Sequence, residues 1–136
     1  MNFKKILLID DSDLDSYINK KIMERVAFAE EMQLFNDAQE ALHFLTSNLD
    51  KPENLPGLIF LDINMPVMNG FEFLAEFQKL TPHSSFICPV VMLSSSIDPA
   101  DKERAKEFSS VYTFLQKPFS KEELCHITPE QIFAHR

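Results

Sequence analysis

The sequence of 136 residues predicts an α/β fold, a doubly wound sheet of five parallel strands with helices on both faces. Two observations predict it. Short apolar runs, rich in β-branched and aromatic residues, alternate with segments of helical periodicity along the whole chain. Three of those runs also end in charge: Asp10 and Asp11 follow Lys5–Ile9, Asp62 follows Leu58–Leu61, and Lys117 follows Val111–Gln116. Parallel strands of an open α/β sheet bring their carboxyl ends to one edge, where such folds bind ligands.

Each element has a local reason. After the first strand, Leu14, Ile18, Ile22 and Val26 recur at four-residue spacing and predict the inner face of a helix, with Ser12 and Asp15 as its capping pair. A weak second strand is expected around Met32–Phe35. Asp37 with Glu40 opens a helix whose apolar face is Ala38, Ala41, Leu42, Leu45 and Leu49. Pro52, Pro56 and Gly57 make 50–57 a loop. The third strand is Leu58–Asp62, and the segment Met65–Gly70 breaks the pattern before a helix from about Phe71 to Leu80, with Phe73, Leu74, Phe77 and Leu80 inward.

Thr81–Pro89 is expected to be a loop and Val90–Ser94 the fourth strand. Asp98 caps a helix with Pro99 in its first position. That helix, to about Phe108, has only Ala100, Ala105 and Phe108 as apolar residues and is expected to be weakly held. Ser120 with Glu123 caps a last helix, with Leu124 and Ile127 inward. Thr128-Pro129-Glu130-Gln131 then interrupts it. Proline inside a helix removes a hydrogen bond and clashes with the preceding turn, whereas threonine as cap, proline first and glutamine three residues after the cap start a helix well. A break at Thr128 is expected, with a short helix or tail over 128–136 and Ile132 or Phe133 packed back.

Composition narrows the function. The formal net charge of −8 argues against nucleic acid as a direct ligand, because phosphate backbones need a basic face. No apolar run approaches a membrane span, and the four apolar residues before Asp10 are too few for a secretory segment, so a cytoplasmic protein is expected. At 45% apolar and 25% charged residues, the chain reads as one globular domain over 1–136, with no internal repeat and no output domain. Cys88 and Cys125 lack metal-ligand spacing and are expected to be buried free thiols. His43, His83, His126 and His135 show no ligand spacing either and read as surface or loop residues; Met65 and Met68 read as gap fillers.

Three carboxylates and one ammonium at one sheet edge have a chemical meaning. Like charges in a cleft are unfavourable unless a cation sits among them. A hard divalent cation with oxygen ligands meets that need, and Mg²⁺ keeps coordination positions open for a phosphate. The cluster therefore points to Mg²⁺ and a phosphoryl group.

Asp10-Asp11 after strand one, Asp62-Ile63-Asn64-Met65-Pro66 with Gly70 after strand three, Ser94-Ser95 after strand four and Lys117-Pro118-Phe119 after strand five resemble the response-regulator receiver domains of two-component signalling. The resemblance runs from about Lys4 to Leu124. It implies the flavodoxin-like strand order 2-1-3-4-5. It also implies Asp62 as phosphoacceptor, and Asp10, Asp11, Asp62 and the backbone carbonyl of Asn64 as Mg²⁺ ligands. The resemblance further implies that Lys117 pairs with phosphoryl oxygens and that Ser94 is the hydroxyl that swings toward them, with the small Ser95 leaving room for the donor. Phe114 takes the place of the aromatic that moves with Ser94, although a fixed core ring is an equal reading of phenylalanine in a strand. The Lys117–Pro118 bond is expected to be cis. The implied role is a stand-alone receiver that catalyses only its own phosphorylation and dephosphorylation. Its phosphoryl group comes from a histidine kinase or histidine phosphotransfer protein, and its output is a downstream protein contact. The face built from the last helices and strand five is expected to be shorter than the family's.

Three other classes fit less well. Phosphohydrolases of the haloacid-dehalogenase type carry a second aspartate two residues after the first; here Ser12 and Asn64 occupy those positions. A flavin-mononucleotide module needs small hydroxyl and glycine residues around its phosphate, where this chain has Asp10-Asp11-Ser12-Asp13. A degenerate receiver would lack an acid or the lysine, and all are present.

Overall fold

The structure, a computed structural model, describes residues 3–83, 88–96 and 98–134. Five strands, β1 (Phe3–Ile9), β2 (Ala29–Phe35), β3 (Leu58–Asp62), β4 (Val90–Ser94) and β5 (Val111–Gln116), form one sheet in the order β2-β1-β3-β4-β5. Every pairing is parallel. The helices are α1 (Asp13–Arg25), α2 (Ala38–Ser47), α3 (Gly70–Phe77), α4 (Pro99–Ala105), α5 (Lys121–Cys125) and α6 (Pro129–Ala134).

Alternation along the central strands divides the core between the two faces. Leu7, Ile9, Ile59, Leu61, Val90 and Met92 pack with α2 and α3, and with Ala105 of α4. Ile6, Leu8, Leu58, Phe60, Val91 and Leu93 pack with Met23 of α1, Leu124 of α5, and Ile127 and Ile132 beyond it. Strands buried on both faces read as unbroken apolar runs, which is why β1, β3 and β4 stood out in the sequence.

Helix α1 departs from expectation. Its buried residues are Ser16, Asn19 and Met23, while Leu14 is 69% and Ile18 39% exposed. Ile22 and Val26 only flank the core. Residues four apart on an α-helix precess by about 40° per step, so a stripe built only on that spacing winds off the buried face. The cap is as expected: Ser12 Oγ accepts from the Asp15 N–H at 3.1 Å. Cys125, expected to be buried, is exposed, because Leu124 of α5 and Ile127 just beyond the helix take the inward positions; Cys88 is buried as expected.

The other helices differ mainly at their ends. In α2 the inward set holds, except that Leu49 lies past the helix end, half-buried. Helix α3 begins at Gly70 behind a capping box of Asn69 and Glu72, and continues as a 3-10 segment over Gln78–His83, which takes in the end of the expected helix and the first residues of the expected loop. Residues 84–87, the side chains of His83 and Phe133, and His135 lie outside the described residues. Helix α4 stops at Ala105, its single buried residue; Ala100 is exposed, and Phe108 lies beyond the helix, its ring stacked 6.3 Å from that of Phe71. Helix α5 ends at Cys125, and α6 starts at Pro129, where Thr128 Oγ1 accepts from the Gln131 N–H at 3.1 Å. Ile132 is buried.

Candidate functional site at the carboxyl edge of the sheet

Strand register assembles the site. Ile9 pairs with Leu61, so Asp10 and Asp62 are the next residues on adjacent strands. Asp62 stands opposite Leu93, and Ser94 opposite Gln116, so Ser94 and Lys117 complete the row. Backbone bonds carry the ladder past the strand ends: Asp10 N–H to Phe35 O at 3.0 Å, Ile63 N–H to Leu93 O at 3.0 Å and Lys117 N–H to Ser94 O at 2.7 Å. The Lys117–Pro118 peptide is cis.

Asp10 and Asp62 are buried and Asp11 is exposed. One carboxylate oxygen from each lies within 4.8 Å of the others. Lys117 Nζ donates to Asp10 Oδ2 at 2.9 Å and to Asp15 Oδ2 at 3.0 Å, and forms an ion pair with Asp62 Oδ1 at 3.5 Å. The other Asp10 oxygen accepts from the Ser12 N–H at 2.9 Å, tying the site to the start of α1.

The electrostatics show a shortage of positive charge. Burial, and then the Asp10 carboxylate, push the Asp62 carboxyl up to about 7, against the opposing pull of Lys117. Burial works against the Lys117 ammonium, but its bonds to Asp10 and Asp15 and the charges of Asp62 and Asp10 hold it above the usual lysine range. One ammonium does not neutralise this many carboxylates. The donor set is all oxygen, open to solvent through Asp11, and short of a cation, which suits a hard divalent ion.

The loop after Asp62 is tightly built. The Met68 N–H bonds to Pro66 O at 2.8 Å, a three-residue turn that puts Val67 at φ 67° with its side chain in solvent. A positive φ is strained for a β-branched residue. Met65 and Met68 fill space against the core, as expected. Gly70 closes the loop, its N–H on Ile63 O at 2.8 Å.

Two side chains are placed in ways the residue pattern did not reveal. Asp15, a partner in the cap of α1, also reaches Lys117 across the sheet edge with its carboxylate. The Ser94 hydroxyl donates to Ser96 O at 2.6 Å and accepts from the Ser96 N–H at 3.2 Å, so it is engaged in its own turn. Asn64 is exposed beside Asp62, and its backbone N–H bonds to that carboxylate. Phe114 is half-buried against the core on the α3 face.

The profile of the response regulator receiver domain matches residues 6–128. The chain belongs to the response regulator receiver domain family. Receivers are phospho-accepting domains of two-component signalling, supplied by histidine kinases or phosphotransfer proteins, and in general they bind Mg²⁺. Response regulator Rcp1 of Synechocystis is 34% identical over 99 residues, 72% of this receiver and 66% of Rcp1. Protein PilG of Pseudomonas aeruginosa is 32% identical over 120 residues, 88% of this receiver and 81% of PilG. A two-component response regulator from Cytophaga hutchinsonii superposes with a TM-score of 0.83 at 28% identity, covering 99% of this receiver and 97% of that chain. The relatives compared by sequence differ widely in length, and this receiver spans between 7% and 81% of them. Among the described residues, no helix is long and apolar enough to cross a membrane.

Proposed function

We propose that this receiver accepts a phosphoryl group on the Asp62 carboxylate from the phosphohistidine of a histidine kinase or phosphotransfer protein, in a Mg²⁺-dependent reaction that it catalyses itself. The observation that carries this is the cluster of Asp10, Asp11 and Asp62 oxygens within 4.8 Å, with the Lys117 ammonium 3.5 Å from Asp62. An Asp62 oxygen attacks phosphorus as the donor's P–N bond breaks, and the ring leaves as neutral imidazole when its other nitrogen carries the proton. The transition state is loose, so positioning and charge neutralisation do most of the catalysis. Asp10, Asp11, Asp62 and the Asn64 carbonyl are the residues to hold Mg²⁺, which when bound neutralises charge between carboxylate and phosphoryl oxygens. Lys117 hydrogen-bonds to another phosphoryl oxygen.

The switch begins at Ser94. Its hydroxyl gives up the Ser96 carbonyl for a phosphoryl oxygen, and the turn leading to α4 moves with it. Helix α4, with Ala105 as its single buried residue, is the element most easily biased by that exchange. Phe114, on neighbouring β5, either follows Ser94 or stays as core. The output is a contact with a downstream protein, or onward relay of the phosphoryl group, in the cytoplasm.

Intact-mass spectrometry after incubation with phosphoramidate and Mg²⁺ tests the chemistry. One added phosphoryl group is expected on the parent and none on Asp62→Asn. Equal labelling of the two would sink the assignment.

A further inference from the structure

We infer that Asp15 is a positioning residue that holds Lys117 in a resting geometry and slows phosphoryl uptake by Asp62. The inference rests on the proposed roles of Asp62 and Lys117. In the structure the two strong bonds of the ammonium go to Asp10 at 2.9 Å and Asp15 at 3.0 Å. Asp62, the carboxylate that Lys117 would serve, is the most distant of the three at 3.5 Å.

Asp15 is placed for this by local structure. It lies in the first turn of α1, its N–H bound by the Ser12 hydroxyl at 3.1 Å, and Ser12 is in turn held through its own N–H by Asp10 at 2.9 Å. A carboxylate near a helix N-terminus is favoured by the unpaired N–H groups there. The oxygens that gather within 4.8 Å as a cation site come from Asp10, Asp11 and Asp62, without Asp15. Asp15 therefore acts on the ammonium rather than as one of those ligands. The side chain of Asp15 is 39% exposed against 10% for Lys117, so the anion sits at the mouth of the site, on the solvent side of the lysine.

Two effects follow, both slowing uptake. To hydrogen-bond to an incoming phosphoryl oxygen, Lys117 has to release or share its bond to Asp15. The Asp15 carboxylate also repels the anionic donor as it approaches the same opening. In the phosphorylated protein the same competition draws Lys117 back from the acyl phosphate. Asp15 would thus lower both the rate of charging and the hold on the product.

The test uses phosphoramidate as donor at saturating Mg²⁺, with Asp62 labelling followed by intact mass. The oxygen–phosphorus bond forms as the phosphorus–nitrogen bond breaks, and the nitrogen leaves as ammonia with the proton it already carries. Asp15→Asn keeps the shape and removes the charge. It is expected to be labelled about fivefold faster than the parent, the factor that one partly exposed ion pair is worth. Asp15→Glu, which restores the carboxylate, should return the rate toward the parent's. The gain should shrink as salt is raised, a response that a purely structural role for Asp15 would not show. A rate for Asp15→Asn equal to or below the parent's, with the parent labelled normally and the variant melting like it, overturns the inference. If the parent itself takes no label, the reading of Asp62 fails instead, and the role of Asp15 goes with it.

Discussion

Gly70 packs directly on the backbone of Asp62: a Cβ added at residue 70 would stand 2.8 Å from the Asp62 carbonyl oxygen and 3.0 Å from the Ile63 Cα. Both obstacles are main chain at the centre of the site, so neither yields without moving Asp62. Gly70→Ala is expected to destabilise the fold by roughly 1–3 kcal/mol, the usual cost of overpacking. Urea unfolding measures it, and a midpoint unchanged from the parent would show that the loop yields freely.

Asp62 is expected to make the metal-free protein less stable as pH rises. Its carboxyl is pushed up to about 7 by burial and by Asp10, so the folded state holds the proton more tightly than the unfolded chain does. The contribution is fully present below the ordinary carboxylate range and is lost as pH rises through about 7. Thermal melts of parent and Asp62→Asn in chelator should separate progressively between pH 5 and 8, with the asparagine variant the more stable at the alkaline end. A constant gap over that range would mean that Asp62 carries no unfavourable charge.

Mg²⁺ should reverse that penalty. Linkage predicts about 2.7 kcal/mol of added stability when the free ion is at 100 times its dissociation constant. Melts with saturating Mg²⁺ and with chelator check this, and Asp11→Ala should reduce the shift. Identical melting temperatures at demonstrated saturation would count against a cation at these carboxylates.

The junction between α5 and α6 offers a test of local against tertiary stabilisation. Thr128→Ala removes the hydroxyl that accepts from the Gln131 N–H and should cost about 1 kcal/mol. Ile132→Ala opens a cavity in the core on the α1 face and should cost roughly 2–5 kcal/mol. Denaturation of the two variants should rank them in that order. The opposite ranking would show that α6 is held by its cap rather than by its packing.

The central strands, the caps and four of the charged residues at the sheet edge are legible in the sequence alone. β3 and β4 coincide with their apolar runs, because a strand buried on both faces needs continuous apolar residues. Ser12, Asp37, Asp98 and Ser120 cap the helices they were expected to cap, because capping is settled within four residues of chain. Asp10, Asp11, Asp62 and Lys117 could be placed at one edge because parallel strands leave their carboxyl ends together. Only the tertiary structure decided what depends on distant neighbours. Which side of α1 is buried is set by the surface it meets, and that surface takes Ser16 and Asn19 while leaving Leu14 and Ile18 outside. The bond from Lys117 to Asp15 spans 102 positions in the chain and follows from register across the sheet together with the start of α1. The Ser94 hydroxyl has a choice of acceptors, and the turn to Ser96 supplies the one it takes. Local interactions name the groups in a site, whereas their distances and orientations arise only when separate strands and helices are packed together.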